Sequence, residues 1–315
     1  MNNHCLITND VETTSLWNHC LSDKTGEVVL KEGMPSLLEL YQKYNIKATF
    51  YFTGYIANLY PEVVKMILPY KHEVACHGLT HEPDQAFDKL NLDEQVYHLS
   101  KAKNILENTS NQEVISFRAP ALRVNNYTPQ ALQKTGFLID SSVAPQRMDM
   151  FLSFGSLKKL KWITAPRTPY YTSPSNLARK GNSNIFEIPV SSFIIPYTGT
   201  IMRISPSLTR ATRSLLVKEA EIFKRPVVFL IHPNELIEEE VTVSKIKRRA
   251  KNYLSYLIGD KLRYHIKLKN LGQKAIPLFN SQLEYLQKKN FTFVTSKEYL
   301  EINTTSKNET ISQES

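Results

Sequence analysis

Short segments rich in β-branched and aromatic residues alternate along this chain with segments that carry apolar residues at helical spacing. The first strand pattern covers His4–Val11, and the next covers residues 47–54. Between them, residues 34–44 have helical spacing, with Pro35 suited to the first turn of a helix. This alternation indicates successive βα units around a parallel sheet.

The same alternation continues along the rest of the chain. It predicts strands at residues 72–77, 114–118, 137–142, 185–192, 226–232 and 291–295, and helices at residues 61–68, 91–107, 207–224 and 276–289, with a short helix opening at residue 128. Asn91 and Glu94 are spaced as a capping box at the start of one of these helices. Residues 144–184 contain four prolines and are expected to be loop-rich. The polar tail, residues 303–315, is expected to be disordered.

A chain of 315 residues, of which 42% are hydrophobic, can bury a sizeable core in one large domain or two ordinary ones. The sequence contains no internal repeat and no low-complexity linker. It therefore favours one α/β domain over residues 1–302, a single distorted (β/α) barrel of about seven βα units. In such barrels the chemistry lies at the C-terminal ends of the strands.

The positive charge of the chain is concentrated near its C-terminus. The formal net charge is +9, and residues 241–274 contain ten Lys and Arg residues against one acid, Asp260. This basic segment also contains apolar residues such as Tyr253 and Leu257, so it is predicted to contact an anionic membrane surface or a phosphate-bearing substrate. A solvated insertion on the flank of the barrel is the alternative. Nucleic-acid binding is not expected, because no recognition motif accompanies the charge.

Targeting signals are not visible in the sequence. No apolar run reaches the roughly 18 residues that a membrane-spanning helix needs, and the N-terminus lacks a basic start followed by an apolar stretch. The three cysteines are too few for a disulfide framework. These features predict a cytoplasmic protein, peripheral to the membrane if the basic segment contacts lipid. They leave the oligomeric state open.

Polar side chains of metal-ligand and acid–base types follow the predicted strands. Asp10 and Glu12 are two residues apart on an extended chain, so both can face one site. His77 and His81 are four residues apart, a spacing that on a helical turn presents two imidazoles to a transition metal. Solvated turn acids and a chance pair of surface histidines are the alternatives. Taken together, the two pairs predict a metal site in which Glu12 or Asp10 supplies the third ligand.

Arg118 and His232 end two further strands. Arg118 precedes Ala119-Pro120 and can pair with a catalytic carboxylate and keep it ionised, although an ordinary ion pair gives the same pattern. His232 ends an apolar strand, and Pro233 follows it. Its ordinary pKa of about 6.5 suits proton donation near neutral pH, and a buried structural histidine is the alternative.

Four motifs, in order along the chain, resemble the polysaccharide deacetylase, or NodB-homology, family of metal-dependent amide and ester hydrolases, in its intracellular Asp-x-Glu type. They are Thr8-Asn9-Asp10-Val11-Glu12, His77-Gly78-Leu79-Thr80-His81, Phe117-Arg118-Ala119-Pro120 and Phe229-Leu230-Ile231-His232-Pro233. The segments IKATFYFTG, at residues 46–54, and FEIPVS, at residues 186–191, also resemble the family. The resemblance spans residues 6–299 and implies the distorted NodB-like (β/α) barrel.

The resemblance implies a role for each motif residue. Asp10 would be the general base, His232 the general acid that protonates the leaving amine, and Arg118 the group that orients Asp10. The ligands of a divalent ion, which we expect to be Zn²⁺, would be Glu12, His77 and His81. Such an ion activates water and polarises the acetyl carbonyl.

The chain departs from the family pattern in two motifs. The commonest first motif has adjacent aspartates, whereas this chain has Asp-Val-Glu, so the division of roles between its two acids stays open. The family's fourth motif, which often orients the last histidine, has no clear counterpart. Asp140, Asp149 and Glu187 are candidate partners of His232, and Glu187 is preferred. We also expect Pro120, Asp140 and Glu187 to bind substrate.

The sequence therefore predicts a metal-dependent deacetylase. It would remove an N-acetyl group, in preference to an O-acetyl group, from an amino-sugar glycan or from a lipid- or nucleotide-linked precursor. One alternative is a metal-independent amide or ureide hydrolase of the allantoinase-like group, in which His77 and His81 bind substrate. The other is a catalytically inactive glycan-binding protein, and the complete set of base, ligands and acid argues against it.

Overall fold

The computed structural model of the chain describes residues 3–14, 21–145, 162–238, 266 and 268–314. Most of the basic segment lies outside these ranges, and so does Asp149. The predicted contacts of the basic segment with a membrane or a phosphate, and the candidacy of Asp149 as a partner of His232, therefore concern residues outside the described part of the chain.

Short strands and helices alternate along the described residues, as the sequence predicts. The strands are β1 (His4–Val11), β2 (Thr49–Phe52), β3 (Glu73–Cys76), β4 (Ser116–Phe117), β5 (Ile139–Asp140), β6 (Tyr170–Ser173), β7 (Asn176–Lys180), β8 (Phe186–Glu187), β9 (Ser192–Phe193), β10 (Ile195–Pro196), β11 (Val227–Ile231) and β12 (Thr292–Phe293). The helices are α1 (Asp23–Val28), α2 (Met34–Lys43), α3 (Gly54–Leu59), α4 (Glu62–Lys65), α5 (Leu92–Ser110), α6 (Thr128–Lys134), α7 (Gly199–Ile204), α8 (Pro206–Phe223), α9 (Ala275–Lys288) and α10 (Ser296–Glu314). A 3₁₀ turn, Pro233–Leu236, follows β11 directly.

The parallel strands form one curled sheet in the order β11-β1-β2-β3-β4-β5-β8. The two ends of this sheet meet after β8. There the backbone N–H of Ser191 donates to the carbonyl of Val228 in β11 at 3.1 Å. The N–H of Val228 in turn donates to Oγ of Ser191 at 2.9 Å. The fold is thus the distorted (β/α) barrel that the sequence predicts, closed on this side by a few hydrogen bonds.

Alternate residues of each strand face the inside of the barrel or the surrounding helices. In β1, Cys5 and Ile7 join the large outer core beneath the helices, while Leu6 belongs to the inner core. The buried members of this inner core are Leu6, Ile115, Ile139, Phe186, Ile188, Val228 and Val294. Further along β1, Thr8 and Asp10 face the inside of the barrel, as Leu6 does. The interior therefore changes from apolar around Leu6 to polar at the C-terminal ends of the strands.

Helix α5 begins where the capping signal predicts. Oδ1 of Asn91 accepts from the N–H of Glu94 at 3.0 Å, and Oε2 of Glu94 accepts from the N–H of Asn91 at 2.8 Å. These reciprocal bonds satisfy two N–H groups that the helix itself leaves without partners. The predicted capping box is confirmed.

Three features differ from the sequence-based expectations. The stretch expected to be loop-rich contains the β6–β7 hairpin, whose first strand pairs antiparallel with β8. Helix α7 is not among the predicted helices, because its six residues are too few to show apolar side chains at helical spacing. The tail expected to be disordered continues α10 as far as Glu314. A capping box between Thr295 and Glu298 starts that helix, with bonds of 3.0 and 3.1 Å.

Among the helices in the described ranges, none combines the length and the apolar character that a bilayer span requires.

Candidate active site

Six polar side chains from four strand ends converge at the C-terminal edge of the barrel. Asp10 lies in β1 and Glu12 directly follows it, the segment after β3 supplies His77 and His81, and Arg118 and His232 directly follow β4 and β11. The sheet order places β1 between β11 and β2, with β3 and β4 next. Because the strands are parallel, their C-terminal ends meet at one edge and bring these residues together.

Glu12, His77 and His81 form a cluster suited to a metal ion. One ligand atom from each of the three lies within 4.8 Å of the others. Nε2 of His81 is 3.1 Å from Oε2 of Glu12, and the two imidazole centroids are 5.7 Å apart. Two imidazole nitrogens and one carboxylate oxygen are a ligand set found in catalytic zinc sites, which keep further positions open for water or substrate.

A left-handed glycine brings His77 and His81 together. Residues 77–81 form no helical turn, in contrast to the geometry considered from their spacing. Gly78 has φ +74, and a Cβ atom there would lie 3.1 Å from Phe87 and 3.3 Å from Pro120. A glycine is therefore favoured at this position on both backbone and steric grounds.

Hydrogen bonding orients His77 toward the cluster. Its Nδ1 is 2.8 Å from the carbonyl oxygen of Arg118. With Nδ1 donating to this carbonyl, Nε2 is left as the nitrogen with a free lone pair, the arrangement usual for metal-bound histidines. The orientation thus fits a metal ligand.

Burial keeps both histidines neutral. Loss of hydration lowers the pKa of His77 and of His81 to about 4. Burial also raises the pKa of Glu12, and Oγ1 of Thr14 donates to its Oε2 at 3.2 Å. Neutral imidazoles are the form that binds a metal, so the described residues fit a divalent ion.

Arg118 holds Asp10 ionised. It donates to Oδ1 of Asp10 at 2.8 Å and is fully buried. Burial alone raises the pKa of Asp10, but the charge of Arg118, its hydrogen bond and the charge of His232 outweigh burial and lower it. Arg118 is itself fixed, since it bonds to Ser141 through Nε at 3.0 Å and lies 4.3 Å from the centre of the Tyr51 ring.

His232 faces Asp10 on one side and Glu235 on the other. Its Nε2 is 3.9 Å from Oδ2 of Asp10, and its Nδ1 is 2.9 Å from Oε1 of Glu235. Burial opposes the charged imidazolium, but the hydrogen bond to Glu235 and the charges of Glu235, Asp10 and Glu12 prevail and raise the pKa of His232 to about 9. His232 is therefore protonated at neutral pH.

Glu235 is the partner of His232, and the preference for Glu187 is wrong. Glu187 accepts instead from the N–H of Val143 at 3.0 Å. Asp140 likewise bonds to Ser142 rather than to the imidazole. The sequence does carry a signal for Glu235, because this acid lies only three residues after His232. The candidates chosen from the sequence were acids far from His232 along the chain.

Pro120, Asp140 and Glu187, the expected substrate-binding residues, are all buried. Asp140 and Glu187 pair across adjacent strands, and burial raises the pKa of both carboxyl groups. Their bonds to Ser142 and Val143 fix the segment that carries the Arg118-binding Ser141. Asp140 and Glu187 therefore lie in the buried layer that supports Arg118 rather than at the open surface of the site, and Pro120 lies against Gly78.

The amino-acid sequence matches known proteins over part of its length. Residues 23–139 match the profile of the family described as polysaccharide deacetylase. Over 118 residues the chain is 33% identical to a peptidoglycan deacetylase of Helicobacter pylori (strain ATCC 700392 / 26695), an alignment that covers 38% of each protein. The chain spans less than half the length of the curated relatives that it matches.

Two solved structures resemble nearly the whole chain. A probable polysaccharide deacetylase from Pseudomonas aeruginosa PAO1 is 15% identical, with a TM-score of 0.54, covering 93% of this chain and 89% of the other. Puue allantoinase is 13% identical, with a TM-score of 0.53 and coverages of 93% and 88%. At such low identity these two structures show the fold alone.

Proposed function

We propose that this chain, which belongs to the polysaccharide deacetylase family, is a metal-dependent deacetylase. The observation that carries the proposal is the convergence of a metal-ligand set with an ionised carboxylate and a protonated imidazole at one edge of the barrel. A glycan-binding protein has no need of this combination, whereas amide hydrolysis uses every part of it.

Asp10 is the general base. Its Oδ1 is occupied by Arg118, so Oδ2 is the oxygen that faces the site, 3.8 Å from Nε2 of His77 and 3.9 Å from Nε2 of His232. Oδ2 takes a proton from a water molecule as the water oxygen bonds to the carbonyl carbon of the acetyl group. The pairing with Arg118 fixes the direction in which this carboxylate accepts the proton.

His232 is the general acid. The tetrahedral intermediate collapses by breaking the carbon–nitrogen bond, acetate leaves, and Nε2 of His232 donates its proton to the departing nitrogen. An amine leaves poorly without that proton. A protonated histidine beside the site therefore favours an N-acetyl over an O-acetyl substrate.

Glu12, His77 and His81 would hold the metal ion, and their two nitrogens and one oxygen suit Zn²⁺. When bound, a divalent ion polarises the acetyl carbonyl and lowers the pKa of a water molecule. Thr14 and the Arg118 carbonyl keep Glu12 and His77 in position for this task.

The proposed substrate is an acetylated amino sugar in a glycan or in a lipid- or nucleotide-linked precursor. The Helicobacter pylori relative, named a peptidoglycan deacetylase, supports this class. The basic segment, residues 241–274, would contact phosphate groups or an anionic membrane. Replacing Lys247, Arg248 and Arg249 with neutral residues should reduce sedimentation with phosphatidylglycerol vesicles, and unchanged sedimentation contradicts this part of the proposal.

The test of the activity is acetate release from N-acetylated amino-sugar oligomers and from peptidoglycan fragments. We expect release by the zinc-loaded protein, its loss after chelation, and a fall of roughly 10²–10⁴-fold in Asp10→Asn. The matched control is Asp88→Asn, which removes a carboxylate bound to Arg123 outside the six site residues. Hydrolysis of a cyclic ureide without metal, or no hydrolysis of any acetylated sugar, contradicts the proposal.

A further inference from the structure

We propose that helix α7 positions the catalytic imidazole through two buried residues. Arg203 fixes Glu235, and Glu235 fixes His232. The inference rests on the proposed function for its activity measurement, and it assigns neither residue to contact with substrate.

Both oxygens of the Glu235 carboxylate accept hydrogen bonds. Oε1 lies 2.9 Å from Nδ1 of His232 and accepts from Oγ1 of Thr200 at 3.3 Å. Oε2 accepts from Nε of Arg203 at 2.7 Å. Two of the three partners come from α7, so the direction in which the carboxylate holds the imidazole is set by this short helix.

Burial separates the supporting residues from the reacting one. The side chains of Glu235 and Arg203 are 0% and 1% exposed, whereas that of His232 is 21% exposed. Only the imidazole can therefore reach a substrate. A buried ion pair is weak evidence for stability, because desolvation cancels much of its attraction. The placement of the Arg203–Glu235 pair directly behind His232 is better explained by the orientation that the pair imposes on the imidazole.

The backbone of α7 leaves room for the carboxylate. A Cβ atom at Gly199 would lie 2.8 Å from Oε2 of Glu235 and 2.8 Å from Cγ1 of Ile231. Arg203 is held from its other side as well, since it donates to the carbonyl of Lys269 at 3.0 Å and its own carbonyl accepts from Asn270 at 2.7 Å. Arg203 is thus held through both its guanidinium and its backbone carbonyl, and the row from Arg203 through Glu235 to His232 is anchored at the Arg203 end.

This row decides which imidazole nitrogen faces the site. With Glu235 accepting the proton of Nδ1, the transferable proton is on Nε2, the nitrogen nearest Asp10. Without the carboxylate, the ring can rotate and turn Nε2 away from the site. The expected consequence is a loss of the catalytic step rather than of substrate binding.

The test compares Glu235→Gln and Arg203→Met with Arg213→Met. Arg213 is a buried arginine on the neighbouring helix α8 that donates to Ser281 and Gln282 of α9, so its loss disturbs the same core without touching Glu235. We expect kcat to fall roughly 10²–10⁴-fold in Glu235→Gln, as when the carboxylate behind a catalytic histidine is replaced. In Arg203→Met we expect a smaller fall, in Arg213→Met little change, and in all three a nearly constant KM.

Nitrogen-15 spectra of the His232 imidazole supply a measurement independent of activity. The Nδ1 resonance should move in Glu235→Gln and Arg203→Met and remain in place in Arg213→Met, and Arg203→Lys should restore part of the shift. Unchanged kcat and unchanged His232 spectra in the folded Glu235→Gln and Arg203→Met variants overturn the proposal. An equal loss of kcat in Arg213→Met also overturns it. If the wild-type protein hydrolyses no acetylated sugar, the proposed function fails, while the spectra still test the positioning.

Discussion

The candidate site has two parts, here called the metal corner and the acid corner, and they shift the pKa of histidine in opposite directions. All three imidazole rings are nevertheless largely buried. In the metal corner, formed by Glu12, His77 and His81, burial lowers the histidine pKa values to about 4. In the acid corner, formed by His232, Glu235 and Arg203, the pKa of the histidine rises to about 9.

The balance between burial and neighbouring charge explains this difference. At His77 burial outweighs the charges of Asp10 and Glu12, and at His81 burial and the charge of His232 both lower the pKa. Glu235 has a lowered pKa because Arg203 and His232 outweigh its burial. The hydrogen bond and the charge of Glu235 therefore outweigh the burial of the His232 ring.

The largest expected effect comes from Asp10, which lies between the two corners, 3.8 Å from Nε2 of His77 and 3.9 Å from Nε2 of His232. Asp10→Asn keeps the shape of the side chain and removes the base, so kcat should fall roughly 10²–10⁴-fold. Elemental analysis should find its metal content unchanged, because Asp10 is not in the ligand cluster. Loss of metal in Asp10→Asn would place Asp10 in the metal corner and break the division between the two corners.

Arg118→Met should destabilise the protein by about 3–5 kcal/mol, because it leaves Asp10 buried without its cation. Urea unfolding measures the loss. The comparison variant is Arg167→Met, which breaks a partly exposed pair with Glu219 and should cost no more than about 1 kcal/mol. Equal losses in the two variants would show that the burial of the Arg118–Asp10 pair has no energetic consequence.

The acid corner should make stability depend on pH. The folded-state pKa of His232, about 9, lies above its ordinary value of 6.5, so the imidazolium stabilises the metal-free fold fully below pH 6.5 and this stabilisation is lost as pH rises through 9. The loss should amount to about 2–3 kcal/mol, given that part of the ring meets water. Urea unfolding from pH 6 to pH 10 measures it, and both His232→Asn and Glu235→Gln should flatten the dependence. If the free energy of unfolding declines as steeply with pH in these variants as in the wild type, the pH dependence does not come from the His232–Glu235 pair.

The smallest effect concerns the turn of the metal corner. Gly78→Ala should cost about 1–2 kcal/mol, since alanine is strained at this positive φ. Gly136→Ala is the matched control, with φ +70 and with Lys103 as the nearest group to the added Cβ. Both variants should lose stability in urea, Gly78→Ala somewhat more because of Phe87 and Pro120, but only Gly78→Ala should weaken zinc binding in a competition titration. Equal zinc affinities would show that Gly78 does not set the metal corner.

The metal corner could be predicted from sequence because local rules place its residues. Parallel strands end at one edge, and the i, i+2 spacing of Asp10 and Glu12 directs both inward. The same rules located Arg118 and His232. The geometry between His77 and His81 could not be obtained in this way, because it depends on a left-handed glycine rather than on a helical turn.

The acid corner was less accessible to sequence reasoning. Glu235 lies in a 3₁₀ turn and Arg203 in a helix of six residues, and neither element has a periodicity long enough to identify it. The two residues are 32 positions apart and meet only because α7 packs against β11. The β6–β7 hairpin escaped prediction for a similar reason, since its polar strands lack a long alternation of apolar residues.

The most direct test of the two-corner account is metal content measured together with acetate release in three proteins. These are the wild type, His77→Ala/His81→Ala and His232→Ala, each purified without added metal. We expect about one divalent ion per chain in the wild type and in His232→Ala, none in the double variant, and acetate release by the wild type alone. Full metal content in the double variant, or loss of metal in His232→Ala, would contradict the account.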